Sequence, residues 1–199
     1  SEVTSSLNAA TLALSMRLEK TGMGDTVFSP GVGATVSVGS RSRLRFRVER
    51  LYRPPTYTEL YYNSPANIGN DRLHAEKTDS IEIGADTRFD SSTVSVSLFA
   101  RRGKDVIDWI RRSDNDAWRA ANHGVLETAG VEWKARLELP SYWRLRLGAT
   151  AFRQRIMDKQ GLASKYALNA PNRTALLSLA GQLVNRVRMA LTLRHEHGG

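Results

Sequence analysis

Apolar and polar residues alternate one by one over most of the chain. Leu12, Leu14, Met16 and Leu18 are separated by Ala13, Ser15 and Arg17. Leu44, Phe46 and Val48 lie among Arg43, Arg45, Arg47 and Glu49. The same period returns in Val131, Trp133, Ala135, Leu137 and Leu139, in Leu145, Leu147 and Ala149, and in Val187, Met189, Leu191 and Leu193. Successive side chains on a strand point to opposite faces, so each stretch has one apolar face and one charged face. A helix would scatter Arg43, Arg45 and Arg47 around most of its circumference and leave no buried stripe. The pattern predicts about nine strands, over residues 9–20, 28–38, 43–52, 78–89, 93–110, 119–139, 143–156, 171–183 and 187–196.

The connections between these strands alternate in length. Gly39–Ser42, Asp90–Ser92, Pro140–Tyr142 and Val184–Arg186 are tight, whereas Thr21–Val27, Arg53–Lys77, Arg112–Trp118 and Met157–Ala170 are longer. Short turns at one end and long loops at the other are the arrangement of outer-membrane barrels. Several strands reach the roughly 9–11 residues that a bilayer requires. Tyr142 and Trp143 flank a short turn, and Tyr52, Tyr57, Tyr61 and Tyr62 flank the longest loop, as an interfacial girdle would. The reading is an all-β, antiparallel up-and-down meander. An odd count leaves two unpaired edges, which are costly in hydrocarbon. Either the count is off by one, or the chain is an arc of a larger barrel.

Composition narrows the classes. The chain has 199 residues, of which 41% are hydrophobic, too many for a disordered polypeptide. No apolar run reaches the roughly 18 residues of a membrane-spanning helix, a test that leaves β-barrels untouched. Cys is absent, so there is neither a disulfide nor a thiolate metal site. Residues Ser1 to Asn8 are polar and do not resemble a leader; either a leader has been removed or the sequence begins inside a longer protein. Lys and Arg number 29 against 20 Asp and Glu, a net charge of +9. That excess would suit a soluble basic β-sheet module for nucleic acid or an acidic partner. In a barrel the same charge belongs to a wet lumen and to loops, with no nucleic acid required.

One stretch carries a family resemblance. Arg53-Pro54-Pro55-Thr56-Tyr57-Thr58-Glu59-Leu60-Tyr61-Tyr62 leads through Gly69-Asn70 to Leu73-His74-Ala75-Glu76-Lys77. Ser80-Ile81-Glu82-Ile83-Gly84, Asp105-Val106-Ile107-Asp108-Trp109-Ile110, Asn122-His123-Gly124 and Gly130-Val131-Glu132 follow in order. This series resembles the barrel signature of TonB-dependent outer-membrane receptors, with Ala75 where that family usually has Pro. The specific motifs run from about Arg43 to Leu139; beyond them only alternation and spacing continue the likeness. The resemblance implies that residues 1–199 are part of a transmembrane barrel of about 22 strands, with no plug domain. It implies the outer membrane of a Gram-negative bacterium, lipid contact, and uptake of a ferric siderophore or cobalamin without catalysis or a cofactor. TonB would be engaged only through N-terminal parts that this sequence lacks. Arg53, Pro54, Glu59, Tyr61, Gly69, Asn70 and Glu76 are the signature, expected to punctuate strands. Pro54 and Pro55 cannot donate to a ladder and end a strand, and Gly69-Asn70 reads as a turn tolerant of positive φ. Tyr61, Tyr62, Asn67, Trp118 and Lys165 are the ligand-contact candidates, because loop aromatics and donors suit siderophore or corrin surfaces.

Other chemistry finds little support. His195 and His197 share a strand face and would offer two metal ligands, fewer than zinc requires. A Ser–His hydrolase of the outer membrane would have to use His123 with Asn122 as its orienting group, and no serine motif accompanies them. Asp114-Asn115-Asp116 lacks the further oxygens of a calcium loop. Gly22-Met23-Gly24 and Gly31-Val32-Gly33 lack the third glycine and the helix of a phosphate loop. Arg101-Arg102 and Arg111-Arg112 would attract phosphate, in nucleic acid or in lipopolysaccharide headgroups, and their strand-end placement favours an interface.

Overall fold

The alternation translates into a wall of strands. The computed structural model describes residues 2–7, 10–20, 26–157, 161–165, 171–184 and 187–198. Its main sheet contains β1 (Glu2–Leu7), β2 (Ala10–Lys20), β3 (Thr26–Val38), β4 (Ser42–Arg53), β6 (Glu76–Phe89), β7 (Ser92–Lys104), β10 (Val125–Leu139), β11 (Trp143–Met157), β13 (Arg173–Val184) and β14 (Val187–His197). They pair antiparallel in that order, with β1 and β14 as unjoined edges. The meander is therefore an open arc. It has ten strands in place of about nine, the extra one being the short β1.

Two strands of the sequence reading are too long. Residues 93–110 divide into β7 and β8 (Ile107–Arg111), and residues 119–139 into β9 (Trp118–Asn122) and β10. The breaks fall at Asp105 (φ 55°) and Gly124 (φ 62°), both in the left-handed region, which no regular strand accommodates. Beyond these corners β8 and β9 leave the wall. With β5 (Asn67–Ile68) and β12 (Ala163–Ser164) they form a second sheet, ordered β12-β8-β9-β5, at the long-loop end.

The tight connections all lie at the opposite end. Gly39 (φ 67°) turns β3 into β4, and Asp90 (φ 50°) turns β6 into β7. Ser141 and Tyr142, both at φ near +60°, lie between the Pro140 carbonyl and the Trp143 N–H, the handedness that matches strand twist. Val184 pairs with Val187, but residues 185–186 of the fourth expected turn lie outside the described residues. So does most of the long connections Thr21–Val27 and Met157–Ala170.

The two faces of the wall differ as the sequence requires. Register places Leu12, Ala34, Phe46, Ile83, Leu98 and Val131 in one cross-strand row. These side chains have nothing over them: Leu98 is 60% exposed, Ile83 53% and Leu12 47%. From Ala129 to Leu139 the apolar face of β10 runs about ten residue steps. At about 3.3 Å per step and a tilt of about 40° that is about 25 Å, the height of a barrel's lipid band. The opposite face carries paired charge. Asp86 accepts from Arg43 Nε at 3.0 Å and from Arg45 Nη2 at 3.2 Å.

The buried apolar cluster lies elsewhere. Ile107 and Trp109 of β8 and Ala120 of β9 are buried together with Leu73, and Leu60 and Trp118 pack against them. Leu73 is 1% exposed. Burying such a side chain contributes about 1.5–3 kcal/mol. The long loops are thus a small folded unit standing on the rim of the wall.

Candidate functional site

The signature residues hold this unit to the wall. β4 ends at Arg53, where Pro54 and Pro55 remove the next two donors. The short helix α1 (Tyr57–Tyr61) follows, with a capping box: Glu59 N–H donates to Thr56 Oγ1 and Thr56 N–H donates to Glu59 Oε2. The Arg53 guanidinium lies between two carboxylates. It donates to Glu76 at 2.8 and 2.9 Å and to Glu59 at 3.0 Å. Glu76 Oε1 also accepts the Ile107 N–H at 2.6 Å, which fixes the start of β8. Burial alone would push the Glu59 carboxyl up. The Arg53 hydrogen bonds and charge, with the Thr56 N–H and hydroxyl, outweigh it and hold Glu59 below the ordinary carboxylate range.

Gly69 is needed for space and not for its φ, which corrects the turn expectation. A Cβ there would lie 2.9 Å from the Leu60 carbonyl carbon and oxygen. Gly69 N–H donates to the Tyr62 carbonyl at 2.6 Å and Asn70 N–H to the Glu59 carbonyl at 2.9 Å, so this segment lies directly against the helix end. Asn70 Oδ1 accepts the Arg72 N–H.

Of the five contact candidates, three come together. β5 pairs with β9 so that Asn67 lies opposite Trp118. β12 pairs with β8, and Lys165 follows it with its N–H on the Trp109 carbonyl. Lys165 Nζ then donates to Asn67 Oδ1 at 3.0 Å and lies 5.7 Å from the Trp118 ring centroid. Tyr61 and Tyr62 are exposed on and just after α1, and Tyr61 packs on Tyr57 with ring centroids 4.9 Å apart.

Arg111 is the residue that sequence reasoning left out of the site. Its guanidinium lies 4.4 Å over the Trp118 ring, and Asp114 accepts from it. Arg111 Nε is buried without a hydrogen-bond partner, and an orphaned donor of this kind calls for an explanation. Beside it is an open cavity of about 620 Å³. Arg111, Arg112 and Arg119 line it with a single carboxylate, Asp116, and with Ile110 and Leu162 as apolar wall. The Arg111-Arg112 pair and Arg119, one residue past Trp118, were the available sequence signal.

The geometry does not assemble the hydrolase alternative. Asn122 uses its amide donors on the His74 and Asp105 carbonyls and its oxygen on the His74 N–H, so it stitches backbone and does not orient His123. His195 and His197 pair with Ala175 and Arg173 on the apolar face, and no cluster of three potential metal ligands occurs among the described residues.

Comparison with known proteins agrees with this architecture. The family described as "TonB dependent receptor-like, beta-barrel" matches residues 2–188, and the chain belongs to that family. No curated protein sequence matches the chain. Among solved structures, the siderophore receptor PirA from Pseudomonas aeruginosa superposes with a TM-score of 0.70 at 18% identity, over 96% of this chain and 34% of that one. The FrpB iron transporter from Neisseria meningitidis gives 0.67 at 19% identity, over 97% and 31%. A mutant ferric enterobactin receptor from Pseudomonas aeruginosa in complex with enterobactin gives 0.70 at 18% identity, over 96% and 31%. The chain thus spans about a third of the length of the structures it matches. The family and these neighbours are receptors and transporters, which disfavours the soluble basic module.

Proposed function

We propose that this chain is the barrel segment of an outer-membrane receptor of a Gram-negative bacterium that takes up a bulky, anionic ferric siderophore. The observation that carries the reading is the cavity in the loop sheet, lined by Arg111, Arg112 and Arg119 against a single carboxylate, Asp116. A ferric chelate of catecholate or carboxylate type presents negative oxygens, and Arg111, Arg112 and Arg119 offer the complementary charge. Cobalamin, the other expectation, has no comparable surplus of anionic oxygens. No bond is made or broken in this scheme. The segment contributes recognition, and the coupling to TonB belongs to other parts of the intact receptor.

The test is binding and uptake of iron-55 loaded onto enterobactin by cells carrying the full-length receptor as their sole route for it. Arg111→Ala together with Arg119→Ala should weaken binding by about tenfold or more, given two lost charge-assisted contacts. Unchanged binding and uptake in that variant would overturn the assignment of the site. Loss for cyanocobalamin with no effect on the ferric complex would overturn the ligand class.

A further inference from the structure

Of the three arginines that line the cavity of the loop sheet, one already has a counter-charge. Arg112 and Arg119 are exposed and make no ion pair among the described residues. Arg111 ends β8, and its side chain is only 24% exposed. Both of its terminal nitrogens are bound by one residue, Asp114. Nη2 donates to the Asp114 carboxylate, and Nη1 donates to the Asp114 carbonyl at 3.0 Å. The guanidinium carbon lies 4.4 Å from the centre of the Trp118 ring. Arg111 is thus fixed, and its charge is compensated, before any ligand arrives.

The compensating carboxylate is loosely held. The Asp114 side chain is 93% exposed and does not line the cavity. An exposed carboxylate leaves such a pair at little cost, because water replaces what the guanidinium gave it. The loop closes by other bonds: Ser113 N–H donates to Asp116 Oδ2 at 3.0 Å, and Asp116 N–H donates to the Ser113 carbonyl at 3.2 Å. The indole face of Trp118 keeps the Arg111 guanidinium in place. We infer that the Asp114 carboxylate is a displaceable counter-ion that sets the anion selectivity of the cavity. It occupies Arg111 at rest and is exchanged for the ligand's own oxygens. A simple anion gains nothing net from that exchange and is kept out. A multidentate chelate also gains Arg112 and Arg119, which carry no competing carboxylate, and so offsets the cost. The inference rests on the reading of the cavity above and names the residue by which that cavity rejects simple anions.

The test is equilibrium binding of ferric enterobactin to the full-length receptor in detergent micelles, alone and in competition with inorganic phosphate. Asp114→Asn keeps the carbonyl contact and loses the charge. It should tighten ferric enterobactin by about two- to fivefold, the range of an exposed ion pair, and lower the phosphate inhibition constant by a similar factor. In an Arg111→Gln background the same substitution should do neither, since no guanidinium is left to compete for. Asp114→Glu, which retains a carboxylate, should stay near wild type. Unchanged constants in Asp114→Asn would overturn the inference. An equal gain in the Arg111→Gln background would also overturn it, by showing long-range repulsion in place of competition. An equal gain in Asp114→Glu would do the same, by tracing the effect to the shape of the turn. The reading of the cavity fails by a different result: Arg111→Gln alone would then leave ferric enterobactin binding at the wild-type level, and this inference would fall with it.

Discussion

Replacing Arg53 with Ala removes the group that ties the loop unit to the wall. In the structure one guanidinium joins the end of β4 to Glu59 on α1 and to Glu76 at the start of β6, and through Glu76 to the first amide of β8. Without it, two carboxylates whose side chains are only 14% and 16% exposed lose their counter-charge. Removing one partner of a fully buried pair costs about 3–5 kcal/mol. Arg53 itself is 42% exposed, so water screens part of that loss, and about 2–3 kcal/mol is the expected cost. The penalty should be local, because the wall is held by its own ladders. Amide hydrogen exchange on the full-length protein reads it directly. The amides of Leu60, Gly69, Asn70 and Ile107 should exchange about 30- to 150-fold faster, at about 1.4 kcal/mol per tenfold. Those of β4, β6 and β7 below the rim should not change. Arg53→Lys, which keeps the charge but loses the fork, should fall between. Unchanged protection at Ile107 and Asn70 would refute the clamp, and equal loss throughout the wall would refute the separation of the two units.

The pH dependence follows from the same cluster. Glu59 is held below its unfolded value, so its contribution is fully present above about pH 4.5 and is lost as pH falls through the depressed folded value. Limited proteolysis of the long loops across pH 3–6 should show it, with Glu59→Gln already cleaved faster at pH 7. Gly69→Ala would force a Cβ to 2.9 Å from Leu60 backbone, and should cost about 1–3 kcal/mol of loop stability, seen as the same proteolysis at neutral pH. Leu98→Arg on the exposed apolar row should cost about 2–4 kcal/mol in a bilayer, measured by urea unfolding from vesicles. Arg136→Ala on the opposite face should cost under about 1 kcal/mol.

The wall was legible in the sequence because strand geometry leaves its imprint at every second residue. Leu44, Phe46 and Val48 could only share a face opposite Arg43, Arg45 and Arg47. The loop unit was not legible, since β8 is covered on both faces over its first three residues and loses the alternation. Ile107, Asp108 and Trp109 are buried in succession, so they read as a continuation of the wall strand before them. The corner at Asp105 depends on a left-handed backbone that no residue there announces. Asn67, Trp118 and Lys165 were chosen as loop donors and aromatics, and their convergence comes from two pairings of two residues each, β5 on β9 and β12 on β8. Arg111 entered only as a strand-end charge, because its position over Trp118 depends on that hairpin. Arg53, Glu59, Gly69 and Glu76 were recognisable as a motif, while the two contacts of Arg53, 6 residues along the chain to Glu59 and 23 to Glu76, needed the fold.

The central claim is that one face of the wall meets lipid and the other meets water. Single cysteines placed in turn at residues 43 to 48 of the full-length protein in vesicles, with any cysteine outside these 199 residues replaced by serine, can each carry one nitroxide label, because this chain itself has no cysteine. The collision rates of the labels with oxygen, which concentrates in lipid, and with a water-soluble nickel chelate report each environment. Labels at Leu44, Phe46 and Val48 should favour oxygen and those at Arg43, Arg45 and Arg47 the chelate, alternating at every residue. Uniform accessibility to the chelate along all six positions would contradict the account.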